Sequence, residues 1–198
     1  MYKRQYLDDA YPEIPARPST PEAIHKVRLW MKQIDTFQQY TGPITYGIAV
    51  RKLQMDKSEE EKEADLQSIP DPVKRQARKE TMEKGIEAPI VMNSLKKAGE
   101  FLDQLEANIE DSGWIAGDKF SMADACTLPY ILRLDHLALS EAFSKEKRPK
   151  INNWYKEVRD LDFFDKAVTS QIPPPLVEMM NTFGEEVKEK ALNLMEEK

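Results

Sequence analysis

Hydrophobic side chains recur at three- to four-residue spacing in two long stretches of the chain. Before the first stretch, Thr20-Pro21-Glu22 supplies an N-cap, a first-turn proline and a first-turn acid, which together predict a helix start. The apolar positions that follow are Ile24, Val27, Trp30 or Met31, Ile34 and Phe37. Because this spacing forms one stripe on a helix, we predict an amphipathic helix to about Tyr40 that Thr41-Gly42-Pro43 breaks or kinks.

The second stretch predicts a long helix from about Pro89 to Ile109, ended by Asp111-Ser112-Gly113. Its apolar stripe consists of Val91, Leu95, Ala98, Leu102, Leu105 and Ile109. Shorter helices are predicted from about Met122 to Leu134, from Lys150 to Arg159, and from Pro175 to the end. No segment alternates apolar and polar residues with a period of two, so we expect no sheet. The predicted fold class is an all-α helical bundle.

Charge is distributed along the chain and excludes several classes of function. The formal net charge is -6, and the basic residues alternate with acids, so nucleic acid is not an expected partner. The highly charged segment Arg51 to Lys84 indicates a solvated helical excursion, with a binding tail as the alternative. Cys126 is the single cysteine and the two histidines are far apart, so we expect neither a disulfide nor a metal site. The sequence contains no run of about 18 apolar residues, so we expect no membrane partner. We expect a cytoplasmic protein.

One local motif stands out between Gly113 and Leu137. Ser121 occupies an N-cap position and Asp124 follows three residues later, which predicts a capping box in which each side chain bonds to the other residue's amide. A serine and an aspartate followed by His136 could instead suggest a hydrolase triad, but no nucleophile-elbow sequence is present. We therefore assign Ser121 and Asp124 a structural role, and we expect Cys126 to be a buried, inert thiol.

Three motifs in this region together resemble the C-terminal helical domain of glutathione transferases. They are the turn Trp114 to Asp118, the capping box Ser121 to Asp124, and the helix start Pro149 to Trp154. The resemblance covers roughly Tyr6 to Val168. The charged insertion and the stretch Gly85 to Pro89 are similar to bacterial or fungal members near the β-etherase and dehalogenase types.

The resemblance also implies a domain organisation. The phrase that starts at Tyr6 is similar to the end of the family's thioredoxin-like domain, so residues 6–18 correspond to that end and the linker. Residues 19–170 correspond to the helical domain and residues 171–198 to a C-terminal helical extension. The thioredoxin-like domain is then missing. Residues 2–5, Tyr-Lys-Arg-Gln, are also the translation of TATAAGAGACAG from a sequencing adapter. We therefore interpret residues 1–5 as adapter-derived and non-native, with a chance match or a natural short form as the alternatives.

The resemblance implies that the chain holds no catalytic residue of its own. The helical domain would hold a small apolar electrophile over the thiolate of glutathione, the co-substrate, within a homodimer. The residues that would form the wall are Phe37 and Tyr40, followed by Trp30, Ile44 and Tyr46; ordinary core packing is the alternative for each. If a partner domain is lost, we expect Trp30, Phe37, Tyr40 and Tyr46 to lie on an exposed apolar strip.

The resemblance also implies a role for Asp35 and a second function for the domain. Asp35 is a candidate contact for the glutathione ammonium across the dimer interface, with a solvated surface acid as the alternative. The second function is a non-catalytic interaction module, because similar helical domains are attached to elongation factor gamma subunits and some tRNA synthetases. A thioredoxin-like domain before Tyr6 would favour the enzyme, and its absence would favour the module.

Overall fold

The structure of the protein is a computed structural model that describes residues 6, 9–11, 13 and 15–197. The adapter assignment of residues 1–5 lies outside the described residues. Within the described residues there are helices and turns but no strand, which confirms the predicted all-α fold. The helices are α1 (Pro21–Thr45), α2 (Arg51–Met55), α3 (Glu59–Gln67), α4 (Pro72–Lys84), α5 (Pro89–Asn108), α6 (Met122–His136), α7 (Pro149–Arg159), α8 (Phe164–Ala167), α9 (Pro174–Glu185) and α10 (Lys188–Glu196).

The chain forms two compact units. Unit 1 comprises the residues up to Gln38, Phe101–Leu132 and Phe143–Gln171. Unit 2 comprises Gln39–Glu100, Arg133–Ala142 and Ile172–Lys198. The residues of α1, α5 and α6 are therefore divided between the two units.

The core of unit 1 contains the predicted apolar stripe of α1 and the second half of the α5 stripe. The α1 stripe is buried as expected except for Ile24, which is half-buried, whereas His25, Lys26 and Lys32 are exposed. The guanidinium of Arg148, which is itself buried, binds the Asp103 carboxylate through Nη2 at 2.7 Å. The core side chains of unit 1 include Val27, Met31, Ile34, Leu102, Leu105, Ile109, Ile115, Ile131, Ile151, Trp154 and Val158.

Unit 2 is held together by close helix packing in which glycine permits backbone contact. A Cβ atom at Gly99 of α5 would lie only 1.8 Å from the carbonyl oxygen of Met195 in α10. A Cβ atom at Gly184 of α9 would lie 2.0 Å from the carbonyl oxygen of Leu137. Because no side chain fits in either place, the two glycines let the C-terminal helices pack directly against the rest of the unit. Residues 172–197 are therefore packed into unit 2.

The start of α1 agrees with the sequence and its end does not. Thr20 Oγ1 accepts a hydrogen bond from the Ala23 amide at 3.2 Å, which confirms the predicted N-cap. The helix is not broken at Thr41-Gly42-Pro43, because it continues through Pro43 to Thr45. It is followed without interruption by a π-helical turn over Tyr46–Val50. The predicted helix end near Tyr40 and the predicted break are therefore wrong.

The charged segment is helical and mostly exposed, as predicted. Ser58 and Glu61 form a full capping box at the start of α3, and Asp71 caps the start of α4. Leu66 and Thr81 are buried residues of these two helices. No helix in the described part of the chain is both long enough and apolar enough to cross a membrane.

Candidate functional site

The predicted pocket residues nearest the end of α1 lie in unit 2. Ile44 is buried, whereas Tyr40 and Tyr46 are half-buried and keep part of their rings accessible. Tyr46 is the first residue of the π-helical turn, in which backbone hydrogen bonds join residues five positions apart instead of four. Single π-helical turns of this kind occur frequently at functional sites. We call Tyr40, Ile44 and Tyr46 the tyrosine face.

A glycine holds the π-helical turn against α5. A Cβ atom at Gly47 would lie 2.7 Å from Cγ2 of Val91, and the Val91 side chain is fully buried. The turn can therefore approach α5 this closely only because residue 47 has no side chain. This contact fixes the backbone immediately after Tyr46 and so positions its ring.

Arg78 from α4 covers the ring of Tyr46. Its guanidinium carbon lies 3.7 Å from the ring centroid, which is within the range of a cation–π interaction. The sequence did not single out Arg78, because a charged residue in a charged segment indicates only a solvated helix. Only the fold brings it to Tyr46, 32 positions earlier in the chain.

A second cation and its partner acid lie beside Tyr46. Lys57 Nζ donates a hydrogen bond to Asp65 Oδ2 at 2.6 Å. This bond with Asp65 is the main cause that raises the pKa of Lys57, and the electrostatic influence of the Tyr46 phenol adds to it. The charge of Lys57 is therefore compensated by Asp65, and Arg78 is the cation that contacts the Tyr46 ring.

Trp30 and Phe37 lie in unit 1 and are core residues. Trp30 is 3% exposed and Phe37 is 4% exposed, so the expectation of an exposed strip is wrong for these two side chains. Phe37 stacks on Phe101 with ring centroids 4.1 Å apart, and Trp30 stacks on the same ring at 5.6 Å. Trp30 Nε1 also donates to Thr127 Oγ1 at 2.7 Å. The sequence could not show this burial, because Phe101 and Thr127 come from other helices.

A cavity of about 630 Å³ opens beside Trp30 in unit 1. Its walls include Leu29 and Gln33 of α1 and the end of α5. The cations on its wall already have partners, since Lys26 binds Glu110 and Lys150 donates to the Ile109 carbonyl. The cavity therefore has the size of a ligand pocket, but its two lysines already bind Glu110 or the backbone.

Asp35 is an exposed residue of α1 in unit 1. Its side chain forms no hydrogen bond or ion pair with any other residue that the structure describes. Its carboxylate is therefore accessible to solvent and to a partner molecule.

Ser121 and Asp124 form a buried network that is larger than the predicted capping box. Asp124 Oδ2 accepts from the Ser121 amide at 2.8 Å and from Ser121 Oγ at 2.8 Å, while Ser121 Oγ accepts from the Ala123 amide and not from the Asp124 amide. Asp124 Oδ1 also accepts from the Ile115 amide at 3.1 Å and from Trp154 Nε1 at 2.9 Å. Burial raises the pKa of Asp124, although all four donors favour the charged form. The network is structural and links α6 to α7.

The sequence singled out two further reactive side chains, Cys126 and Ser121. The Cys126 thiol is buried in α6, as predicted. Ser121 Oγ accepts from the Ala123 amide as a cap and donates its hydrogen to Asp124 Oδ2. Among the residues described by the structure, no three His, Cys, Asp or Glu side chains lie together where they could bind a metal ion.

Comparisons with known proteins agree with this fold. The family profile of the glutathione S-transferase C-terminal domain matches residues 51–162, which is more than half of the chain. Among solved structures, the β-etherase LigF from Sphingobium sp. strain SYK-6 is similar, with a TM-score of 0.66 and 20% sequence identity. The alignment covers 90% of this chain and 70% of the LigF chain. No curated protein sequence matches the chain.

Proposed function

Because the chain belongs to the family of glutathione S-transferase C-terminal domains, we propose that it holds the electrophile in a glutathione-dependent transferase reaction. In that reaction the glutathione thiolate attacks the electrophile, a carbon–sulfur bond forms, and the leaving group departs with the electrons of its bond to carbon. The thiol proton passes to solvent. The residue that stabilises the thiolate would belong to a thioredoxin-like domain, in line with the family resemblance. The domain described here would supply the apolar wall.

The half-buried tyrosine face is the observation that carries this proposal. Tyr40 and Tyr46 combine an apolar ring with partial access from solvent, as the wall of an apolar pocket requires. Ile44 is buried and supports them, and the Gly47 contact fixes the adjacent backbone. A wall of fixed rings accelerates the reaction by positioning the reacting carbon, without taking part in the chemistry. Trp30 and Phe37, which the sequence also proposed, would act in this scheme only as core support.

Asp35 and a second subunit complete the proposal. An exposed carboxylate without a partner in the described chain is free to bind an ammonium group. We therefore retain Asp35 as the residue that contacts the ammonium of glutathione bound to a partner subunit in a homodimer. The reduced cytoplasm would be the location in which this thiol chemistry operates.

A titration with two ligands tests the proposed wall. Backbone amide NMR signals of the ¹⁵N-labelled chain are followed during addition of glutathione and, separately, of S-hexylglutathione. The two ligands share the ammonium, amide and carboxylate groups of the tripeptide. They differ at sulfur, which carries hydrogen in glutathione and a hexyl chain in S-hexylglutathione. We expect S-hexylglutathione to shift the signals of residues 40–46 and glutathione to leave them unchanged. Tyr46→Ala should weaken this response.

The control variant is Tyr11→Ala, because Tyr11 is 66% exposed and lies outside the tyrosine face. It should titrate like the natural chain. Equal responses to both ligands, or shifts confined to other residues, would refute the assignment of the wall. A complete lack of response to S-hexylglutathione would favour the non-catalytic interaction module.

A further inference from the structure

Arg78 is a half-buried arginine whose guanidinium lies over the Tyr46 ring. Its side chain forms no hydrogen bond or ion pair with any residue that the structure describes. The other two arginines of the charged segment donate to backbone carbonyls, Arg51 to Met82 and Arg75 to Ile69. Two acids of α3 have other partners, since Asp65 binds Lys57 and Glu61 caps the start of the helix. Arg78 thus differs from its neighbours in having its hydrogen-bond donors unused.

The contact with Tyr46 leaves these donors available. A guanidinium over an aromatic ring interacts through its face, whereas its five N–H groups lie in its plane and point away. The ring holds the guanidinium at 3.7 Å and restricts its orientation. Less conformational freedom is therefore lost when a ligand binds, and the planar donor fork matches a carboxylate in bidentate geometry.

The surrounding charge favours the same type of ligand. The charge of Lys57 is compensated by its ion pair with Asp65, whereas the Arg78 guanidinium has no carboxylate partner among the described residues. An apolar ring against the tyrosine face with an anionic substituent toward Arg78 would satisfy both halves of the site. We propose that the electrophile bound here is an aromatic compound with a carboxylate group, and that Arg78 on Tyr46 is the residue that selects it. This inference rests on the proposed function, because it assumes that the tyrosine face is the wall of the pocket.

The test compares two non-reacting ligands of nearly equal shape. 4-Nitrobenzoate carries the carboxylate and 4-nitrobenzamide replaces it with a neutral amide. Dissociation constants are measured from the amide NMR signals of residues 40–46 and 78. We expect the benzoate to bind about five- to tenfold more tightly, since hydrogen bonds to a charged group are roughly twice as strong as neutral ones and a tenfold ratio corresponds to about 1.4 kcal/mol.

Variants assign the preference to Arg78. Arg78→Gln should reduce the ratio of the two dissociation constants to about one, and Arg78→Lys should leave an intermediate ratio because a point charge lacks the fork. The matched control is Arg28→Gln, which removes the same charge from an exposed arginine that has no ion pair in the described chain. It should keep the ratio of the natural chain.

The failure of this inference can be distinguished from that of the proposed function. Equal affinities in the natural chain, or a preference that persists in Arg78→Gln, would overturn the role of Arg78 while S-hexylglutathione still shifts residues 40–46. If neither of the two aromatic ligands nor S-hexylglutathione affects these residues, the pocket itself is refuted and both proposals fall.

Discussion

The substitution Asp124→Ala should lower the free energy of unfolding by much more than the loss of a helix cap alone would. Asp124 is fully buried and accepts hydrogen bonds from the Ile115 amide, the Ser121 amide and hydroxyl, and Trp154 Nε1. Alanine leaves these donors without partners. Trp154 is also fully buried, so its indole N–H cannot turn to solvent.

The magnitude follows from the separate contributions. Loss of the cap at Ser121 accounts for about 1 to 2 kcal/mol. The Ile115 amide and the Trp154 indole N–H add about 1 to 3 kcal/mol each when left unsatisfied. Removing the carboxylate relieves its own desolvation and offsets part of this sum. We therefore expect a loss of about 3 to 5 kcal/mol in the free energy of unfolding.

The assay is equilibrium unfolding in denaturant, followed by tryptophan fluorescence and far-ultraviolet circular dichroism. Trp30, Trp114 and Trp154 all belong to unit 1, so fluorescence reports on that unit. The control is Glu61→Ala, which removes the same type of capping box at an exposed position and should cost about 1 kcal/mol or less. Equal losses in the two variants would refute the view that the buried network, and not the cap, dominates at Asp124.

Three further predictions concern the π-helical turn, pH and activity. Gly47→Ala should destabilise the protein by about 1 to 3 kcal/mol because its Cβ atom would meet Val91. Gly42→Ala should stabilise α1 by up to about 1 kcal/mol, because its Cβ atom would have nothing within 4 Å. Unfolding midpoints of the two variants that shift in the same direction would contradict this. Because burial raises the pKa of Asp124 above its ordinary 3.8, the native state holds this proton more tightly than the unfolded state. The stabilisation from this proton is therefore complete below pH 3.8 and falls as the pH rises through the native pKa. The decrease in the free energy of unfolding caused by Asp124→Ala should accordingly be larger in acid than at neutral pH. Finally, the chain alone should conjugate glutathione to an aryl halide no faster than free glutathione reacts, and a faster rate would show a thiolate-activating residue within it.

The sequence predicted the elements whose causes are local. The cap at Thr20 and the apolar stripes of α1 and α5 depend on residues within one or two turns of each other, and the structure confirms them. The family motifs were equally informative, since the capping box and its neighbouring turns led to the family that the profile match shows.

The errors and omissions involve contacts between distant residues. The helix continues past Pro43 into a π-helical turn where Gly47 packs on Val91, 44 positions later in the chain. Trp30 and Phe37 are buried because both stack on Phe101. The bond from Trp154 to Asp124 joins residues 30 positions apart, and local patterning contains no signal for it.

Photo-cross-linking tests the central claim, that the tyrosine face binds the electrophile, most directly. The chain is irradiated with a glutathione conjugate that carries benzophenone on its sulfur, digested with trypsin, and analysed by mass spectrometry. Trypsin releases residues 33–51 as one peptide that contains Tyr40, Ile44 and Tyr46. Our account predicts that the label is found mainly on this peptide, within residues 40–46, and that S-hexylglutathione competes with labelling while glutathione does not. Labelling distributed over other peptides, or competition by glutathione alone, would contradict it.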